Sequence, residues 1–406
     1  MEEERSDEPP AVAVSLLTDD LIMEILCRVP VKSLHRFKCV SRSWRDLIAH
    51  PAYRKKLPQT LAGFFYEISY YGGVRRNYFA SISGSAATVD VDPSLAFLQP
   101  MAYTDIKLVD TRNGLLLCAC YNKENSSTEH KLRFVVCNPA TQRSVMLPPQ
   151  PQPQQHYVTW LAFDPAVSSR FHVLNFEQSE QGNYYITGVN IYSSQTGVWT
   201  HRDTGLVKEI GLLSTGGSAF LGGMLYLLGQ LNTQSINIDL SSTMVLVSVD
   251  MEGKAWNWIN VPEGCFHYVG TIGLSQGCLH YATTITPVSN NDNENTILPL
   301  EEEIALWCLE NHDSKEWVLK DSLSIHKQFI DNPLSIDDPE SDYHTVGIHP
   351  DCDTLFLVPK RGASLASYDM RHQIFCNILD LEKGCLSRHL PYVPLFSESL
   401  ADADGQ

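Results

Sequence analysis

The chain has 406 residues, 43% of them hydrophobic, and a formal net charge of −17. That length is enough to bury a large core and allows one large domain beside a small one, while so acidic a balance excludes the basic footprint of a phosphate-backbone binder. The 11 cysteines are odd in number and sit mostly within apolar runs such as LLLCAC and FVVCN, the pattern of reduced, buried thiols in a cytoplasmic or nuclear protein.

Residues 1–14, beginning MEEERSDEPP, are acidic and proline-bearing, with neither the basic nor the apolar region of a signal peptide, and are expected to be a disordered tail. No run approaches the roughly 18 apolar residues of a membrane span, so no membrane partner is expected. Without a secretory signal, the Asn125-Ser126-Ser127 sequon carries no meaning.

Residues 15–58 read as a small helical domain. Thr18 precedes Asp19 and Asp20, a hydroxyl and two carboxylates that suit a helix N-terminus. Leu21, Ile22, Ile25, Leu26 and Val29 then recur at helical spacing, and Pro30 stops the helix because it has no N–H to donate. Ser33 starts a second short helix with Leu34 and Phe37, and Ser41 a third with Trp44, Leu47 and Ile48. Three helices in so few residues cannot cover one another's apolar faces, so part of that surface is expected to meet a partner. From Arg28 to Lys56 there are nine basic residues and one acid, leaving the rest of the chain near −25. A basic patch on an acidic protein fits an acidic partner surface; a plain solvated face fits it equally well.

The order L-x-D-D-L-x-x-E-I-L-x-R-x-P-V-K-S-L-x-R-F-K-C-V-S-x-S-W, Leu17 to Trp44, resembles the F-box of plant F-box proteins. The family usually has Pro after the first Leu, where this chain has Thr18. The resemblance implies docking on a Skp-family adaptor and, through it, on the cullin and RING subunits of a ubiquitin ligase. The residues at matching adaptor-facing positions are Leu17, Leu21, Ile25, Leu26, Pro30, Val31, Leu34, Val40 and Trp44. Phe37 and Leu47 are expected to pack internally.

Residues 59–399 change character. Short apolar or alternating runs, among them GFFYEISYY, GLLLCACY, RFHVLNF, MLYLLG and TLFLVPK, are separated by Gly, Pro, Asn and Asp and read as strands and turns. A weak helical pattern remains around Leu319 to Ile330. Strand pairs centre near Phe64, Leu116, Ala162, Phe220, Ile272 and Ile348, an irregular spacing of roughly 45 to 75 residues near the ~50 of a four-stranded propeller blade. A polar turn leads into Trp199, Trp256 and Trp317 at one equivalent place, where a large ring can wedge between blades. The expected fold is mainly β: a three-helix F-box and then a β-propeller of six or seven four-stranded blades. The stretches 147–156 and 286–303 read as loops, and 400–406 as a frayed tail.

This region is similar to the kelch-like F-box-associated domain of the same plant family, on RNGLLL (112–117), VCNPATQRSVMLPP (136–149), LAFDP (161–165), SSQTGVW (193–199), FLGGMLYLLG (220–229) and GCLHY (277–281). Together the two resemblances imply a non-catalytic substrate receptor of a ubiquitin ligase, needing no cofactor and binding no nucleic acid. A receptor that only sequesters its target, and a propeller that binds a small ligand or catalyses, are the alternatives. Gly273–Gly277 fits G-x-S-x-G, but the next residues, CLHYATTI, are strand-like and not helical, so Ser275 reads as a turn residue. Cys265-x-His267 and Cys278-x-His280 have zinc-ligand types without the usual spacing, and no metal is expected. For target contact, the stretch 69–78 is favoured, with Arg75, Arg76 and Tyr78, since Arg and Tyr are enriched at hot spots. The loops 121–131, 230–236 and 286–303 are further candidates.

Overall fold

Hydrophobic spacing changes from helical to alternating near residue 60, and the computed structural model divides there into two compact units, Met1–Thr60 and Leu61–Gln406. It describes residues 18–29, 33, 37, 40–49, 61–70, 75–82, 91–101, 103, 105–123, 130–150, 157–179, 185–232, 243–262, 270–285, 303–311, 315–324, 343–350, 354–359, 364–380 and 389–395.

The first unit contains α1 (Asp19–Leu26) and α2 (Arg42–Ala49). Ser33 and Phe37, in the expected middle helix, have helical backbone. Ile22, Met23 and Leu26 from α1 meet Leu47 and Ile48 from α2, with Phe37 and Trp44 packed alongside. Leu47 thus lies inside, and Phe37, half-buried, packs against the same cluster. Ser41 caps α2, its Oγ accepting from the Trp44 backbone N–H at 3.1 Å. Thr18 behaves otherwise. It holds the extended N-cap backbone of α1, and its carbonyl accepts from Ile22 N, but its hydroxyl makes no cap bond. The first turn carries Asp19 and Asp20, whose negative charges favour the positive end of the helix dipole.

The second unit is built from antiparallel sheets. The first joins β1 (Gly63–Ser69) and β2 (Arg75–Ser81) to β24 (Leu390–Tyr392), from the far end of the chain. The second comprises β3 (Asp105–Arg112), β4 (Leu115–Lys123), β5 (His130–Asn138) and β6 (Arg143–Met146). The third runs through β7 (Tyr157–Ala162), β8 (His172–Gln178), β9 (Ile186–Ser193) and β10 (Val198–Asp203). In the fourth, β11 (Ile210–Leu212) and β12 (Ser218–Leu221) both pair with β13 (Met224–Leu231), followed by β14 (Met244–Asp250) and β15 (Trp256–Asn260). β11 and β12 are one inner strand, interrupted by residues 213–217, which bulge out opposite Leu228. The fifth has β16 (Thr271–Ser275), β17 (Cys278–Ile285), β18 (Glu303–Asn311) and β19 (Glu316–Ser324), and the sixth β20 (Tyr343–Ile348), β21 (Thr354–Pro359), β22 (Ser364–Asp369) and β23 (Ile374–Asp380).

Side chains alternate across a strand, so each sheet has two apolar faces. Each face is shared with a neighbour, giving six clusters: first with second, second with third, third with fourth, fourth with fifth, fifth with sixth, and sixth with first. An open row of six sheets has five seams; the sixth, between Phe64 or Tyr66 and Phe356 or Leu365, closes a ring. The structure is therefore a propeller of six blades. Three inner hairpins turn on two residues with positive φ, Asn113-Gly114, Gly222-Gly223 and Gln276-Gly277, the conformation of type I′ turns.

The recurring tryptophans lie at equivalent places, on β10, β15 and β19, and each packs into the seam with the preceding blade. Trp199 Nε1 donates to Pro148 O at 2.9 Å and Trp317 Nε1 to Asn260 O at 3.0 Å, both in the blade before. Trp256 differs: its N–H donates locally to Gly253 O, and its ring meets Phe176 edge-on. The helix expected from Leu319 fails as far as Ser324, which ends β19. Pairing with β18 through two register shifts breaks the period-two pattern and leaves Val318 and Leu319 exposed, so the spacing imitates a helix. The remainder of that stretch lies outside the described residues.

Candidate interaction surfaces

On α1 the apolar arc is wider than the unit's own core. Ile22 and Leu26 point inward, Leu26 fully buried, while Leu21 and Ile25, one turn apart on the adjoining face, are 52% and 45% exposed. Val40, before α2, is 62% exposed. Burying the exposed half of each such side chain against a partner is favourable by about 1 kcal/mol. Leu26, expected among the adaptor-facing residues, has the helical phase that puts it fully buried in the core of the module. Trp44 is half-buried and meets Phe37 edge-on at 5.4 Å, so its ring serves the core at least in part. Leu17, Pro30, Val31 and Leu34 lie outside the described residues.

In the propeller, the favoured stretch 69–78 is not one loop. Arg75, Arg76 and Tyr78 belong to β2, and strand alternation separates them. Arg75 and Asn77 face the second blade. The Arg75 guanidinium donates to Asp105 Oδ2 at 2.7 Å through Nη2 and lies over the Tyr121 ring, while Asn77 Nδ2 donates to Ile106 O. Arg75 is thus a clasp between blades and not an open contact residue. Beneath it, burial outweighs the nearby Arg75 and Lys107 and holds the Glu67 carboxyl above its ordinary range.

Arg76 and Tyr78 take the other face. Tyr66 stacks on Tyr78 at 5.4 Å and on His389 at 5.7 Å; Tyr70 and Tyr78 share a hydroxyl–hydroxyl hydrogen bond of 2.7 Å; the exposed Arg76 lies over Tyr70 at 5.6 Å. Arg76, Tyr70 and Tyr78 so form a cation on an aromatic platform. Sequence reading overlooked Tyr66 and His389. The β1–β2 register pairs Tyr66 with Tyr78, but no local signal brings His389 from the other end of the chain. Of the other loops, 124–129, 233–236 and 286–302 lie outside the described residues.

The inner strands carry a polar cluster. Asp110 on β3 accepts from the backbone N–H of Leu161 on β7 and of Thr111, and Arg112 Nη2 lies 3.7 Å from it. Arg112 also donates to Ser218 Oγ on β12, and Thr111 Oγ1 to Pro391 O on β24 at 2.6 Å. Four blades are tied in this way.

No catalytic arrangement emerges among the described residues. Ser275 ends β16 and is followed by the Gln276-Gly277 turn and then by β17, where a nucleophile elbow needs a helix. Cys278 is exposed and His280 buried; Cys265 and His267 lie outside the described residues. Among the described residues no group of three His, Cys, Asp or Glu is placed to hold a metal, and no helix is long and apolar enough to cross a membrane.

Comparison with known proteins gives two family matches. Residues 14–56 match the F-box domain, and residues 76–389 match the family described as "F-box protein At3g26010-like, beta-propeller". Among curated proteins, the chain is 31% identical over 196 residues to F-box protein At5g07610 of Arabidopsis thaliana, covering 45% of this chain and 44% of that one. It is 24% identical over 336 residues to F-box protein At5g49610 of the same plant, covering 77% of this chain and 80% of that one. The chain thus spans less than half of the first relative and four fifths of the second. Among solved structures it is similar to the GH93 alpha-L-arabinofuranosidase of Fusarium graminearum, at 10% identity and a TM-score of 0.38 over 69% of this chain and 82% of that one, a likeness too distant to bear on function.

Proposed function

Because the chain belongs to the F-box proteins with an At3g26010-like β-propeller, we propose that it is the target-recognition subunit of a Skp–cullin–F-box ubiquitin ligase. The observation that carries this reading is the divided apolar arc of α1. Its inner half completes a core, and its outer half, Leu21 and Ile25 with Val40 nearby in sequence, stays in solvent. This is the pattern of a helix laid into a partner's groove. In this reading the partner is the Skp-family adaptor, which links the chain to the cullin and RING subunits in the cytoplasm or nucleus. Leu17, Pro30, Val31 and Leu34 extend the contact.

The propeller holds the target, and Arg76, Tyr70 and Tyr78 are the contact we favour. The chain does no covalent chemistry of its own. It raises the local concentration of the target beside the charged ubiquitin carrier, and the rate gain comes from that tethering.

Co-purification with a Skp-family adaptor tests the reading, using the wild type and a Leu21→Asp, Ile25→Asp double variant. A carboxylate on that face costs several kcal/mol of desolvation, so the variant is expected to lose the adaptor while its propeller melts unchanged. A wild type that fails to bind, or a variant that binds equally well, overturns the proposal.

A further inference from the structure

The first blade is one strand short. With β11 and β12 counted as one inner strand, the second to sixth blades each have four strands, whereas the first has only β24, β1 and β2 among the described residues. β2 stands third from the inner strand, and its outer edge pairs with no strand among the described residues. Such an edge presents N–H and C=O groups that can accept a further extended segment. Beside it, on the face turned toward the sixth blade, is a cation without a counter-charge. Among the described residues the exposed Arg76 guanidinium makes neither a hydrogen bond nor an ion pair, and it is held by the face of Tyr70. That ring is fixed in turn. Tyr70 is hydrogen-bonded to Tyr78, Tyr78 is stacked within 19° of parallel on Tyr66, and Tyr66, 6% exposed, lies in the seam of the first and sixth blades. Arg75 gives the contrast: it also lies over a ring, but Asp105 takes its donors. A guanidinium resting face-down on a ring keeps its N–H fork free in its own plane, matched to the two oxygens of a carboxylate. A phosphate would bring a second negative charge that one cation does not offset on a chain of net charge −17, and phosphate recognition uses clustered arginines.

We propose that the outer edge of β2 takes an extended segment of the target as the fourth strand of the first blade, with an Asp or Glu side chain of that segment on Arg76. The proposal rests on the reading of the propeller as the target-holding domain and supplies the chemistry of its target. Side chains directly opposite on paired strands are neighbours, so an acidic residue in register with Arg76 meets the guanidinium while main-chain hydrogen bonds hold the strand. Alternation places Tyr78 two residues along on the same face, where it offers an aromatic surface to the next target side chain on that side.

The test pans a phage-displayed library of random peptides against the full chain, and the same preparations are assayed for Skp-family adaptor binding. The expected result is a set of strand-forming peptides with one recurring Asp or Glu. Synthetic forms are expected to lose about tenfold or more in affinity when that residue becomes Asn or Gln, or when Arg76 becomes Ala, with no further loss when both are changed. Arg76→Lys keeps the charge but not the fork, and is expected to keep only part of the affinity. Methylating single backbone nitrogens of the peptide is expected to weaken binding at every second position only, since successive N–H groups of an added strand point alternately toward β2 and away. Arg76→Ala is expected to bind the adaptor as the wild type does. A failed ligase reading therefore shows as lost adaptor binding with peptide capture intact, and a failed edge reading as the reverse. Two results overturn the proposal: a wild type that enriches no acidic peptide, as when a segment of its own chain or a second copy fills the edge, or selected peptides that bind Arg76→Ala equally well.

Discussion

Leu21 and Ile25 in the helical unit remain in solvent, whereas Leu116, Val135 and Leu390 in the ring are closed between two sheets. All are large apolar side chains; the difference in burial lies in geometry. A ring of sheets supplies every apolar face with a neighbour and leaves no first or last sheet. The small helical unit supplies only one shared core, and the rest of the arc must find its cover in another molecule. The ring is therefore expected to tolerate isolation, and the helical unit to gain stability from its partner.

The sharpest way to break the contrast is to reopen the ring. Tyr392, fully buried against Phe65 and Phe79, belongs to the strand that completes the first blade. Tyr392→Ala is expected to cost about 3–5 kcal/mol, lowering Tm in thermal unfolding, and the first and second blades, which share its cluster, are expected to lose hydrogen-exchange protection first. In the helical unit, Leu26→Ala is expected to cost about 2–5 kcal/mol, seen as faster proteolysis of residues 18–49 with the ring's Tm unchanged. An adaptor defect in that variant is expected to shrink at high adaptor concentration, unlike that of Leu21→Asp.

A smaller effect separates the two faces of β2. Arg75→Ala breaks a half-buried ion pair with Asp105 and is expected to cost no more than about 1 kcal/mol without affecting the target. Arg76→Ala is expected to leave Tm unchanged and weaken target capture. Smallest is the response to acid. Burial holds His172 and His349 below the usual imidazole range, so the unfolded chain takes up protons before the folded ring does. Stability from these groups is full above the ordinary value of roughly 6.5 and is lost as pH falls below it. His349→Gln is expected to flatten the fall in Tm between neutral and mildly acid pH.

Much of this was legible in the amino acids, and for local reasons. The Trp199, Trp256 and Trp317 spacing exposes the blade repeat because a half-buried ring at an equivalent place in three successive seams constrains one position per repeat. The paired residues at Asn113-Gly114 and Gln276-Gly277 mark hairpins because both need positive φ. The split of α1 into Leu26 inside and Leu21 outside was not readable, since all of its apolar positions share one arc and only the third dimension says how much of it is covered. Arg75 and Arg76 are likewise adjacent letters with opposite surroundings. Leu390–Tyr392 gave no strand signal in only three residues; their pairing with β1 is settled by the ring and not by their neighbours.

That last strand sets a clock on the protein's birth. β1 emerges from the ribosome about 320 residues before β24, and at ordinary elongation rates the delay is on the order of tens of seconds. Throughout it, the first blade waits with one edge unmatched, an invitation to chaperones or to the wrong strand. A chain cut short anywhere before Leu390 never receives its latch, so the first blade stays unpaired along that edge.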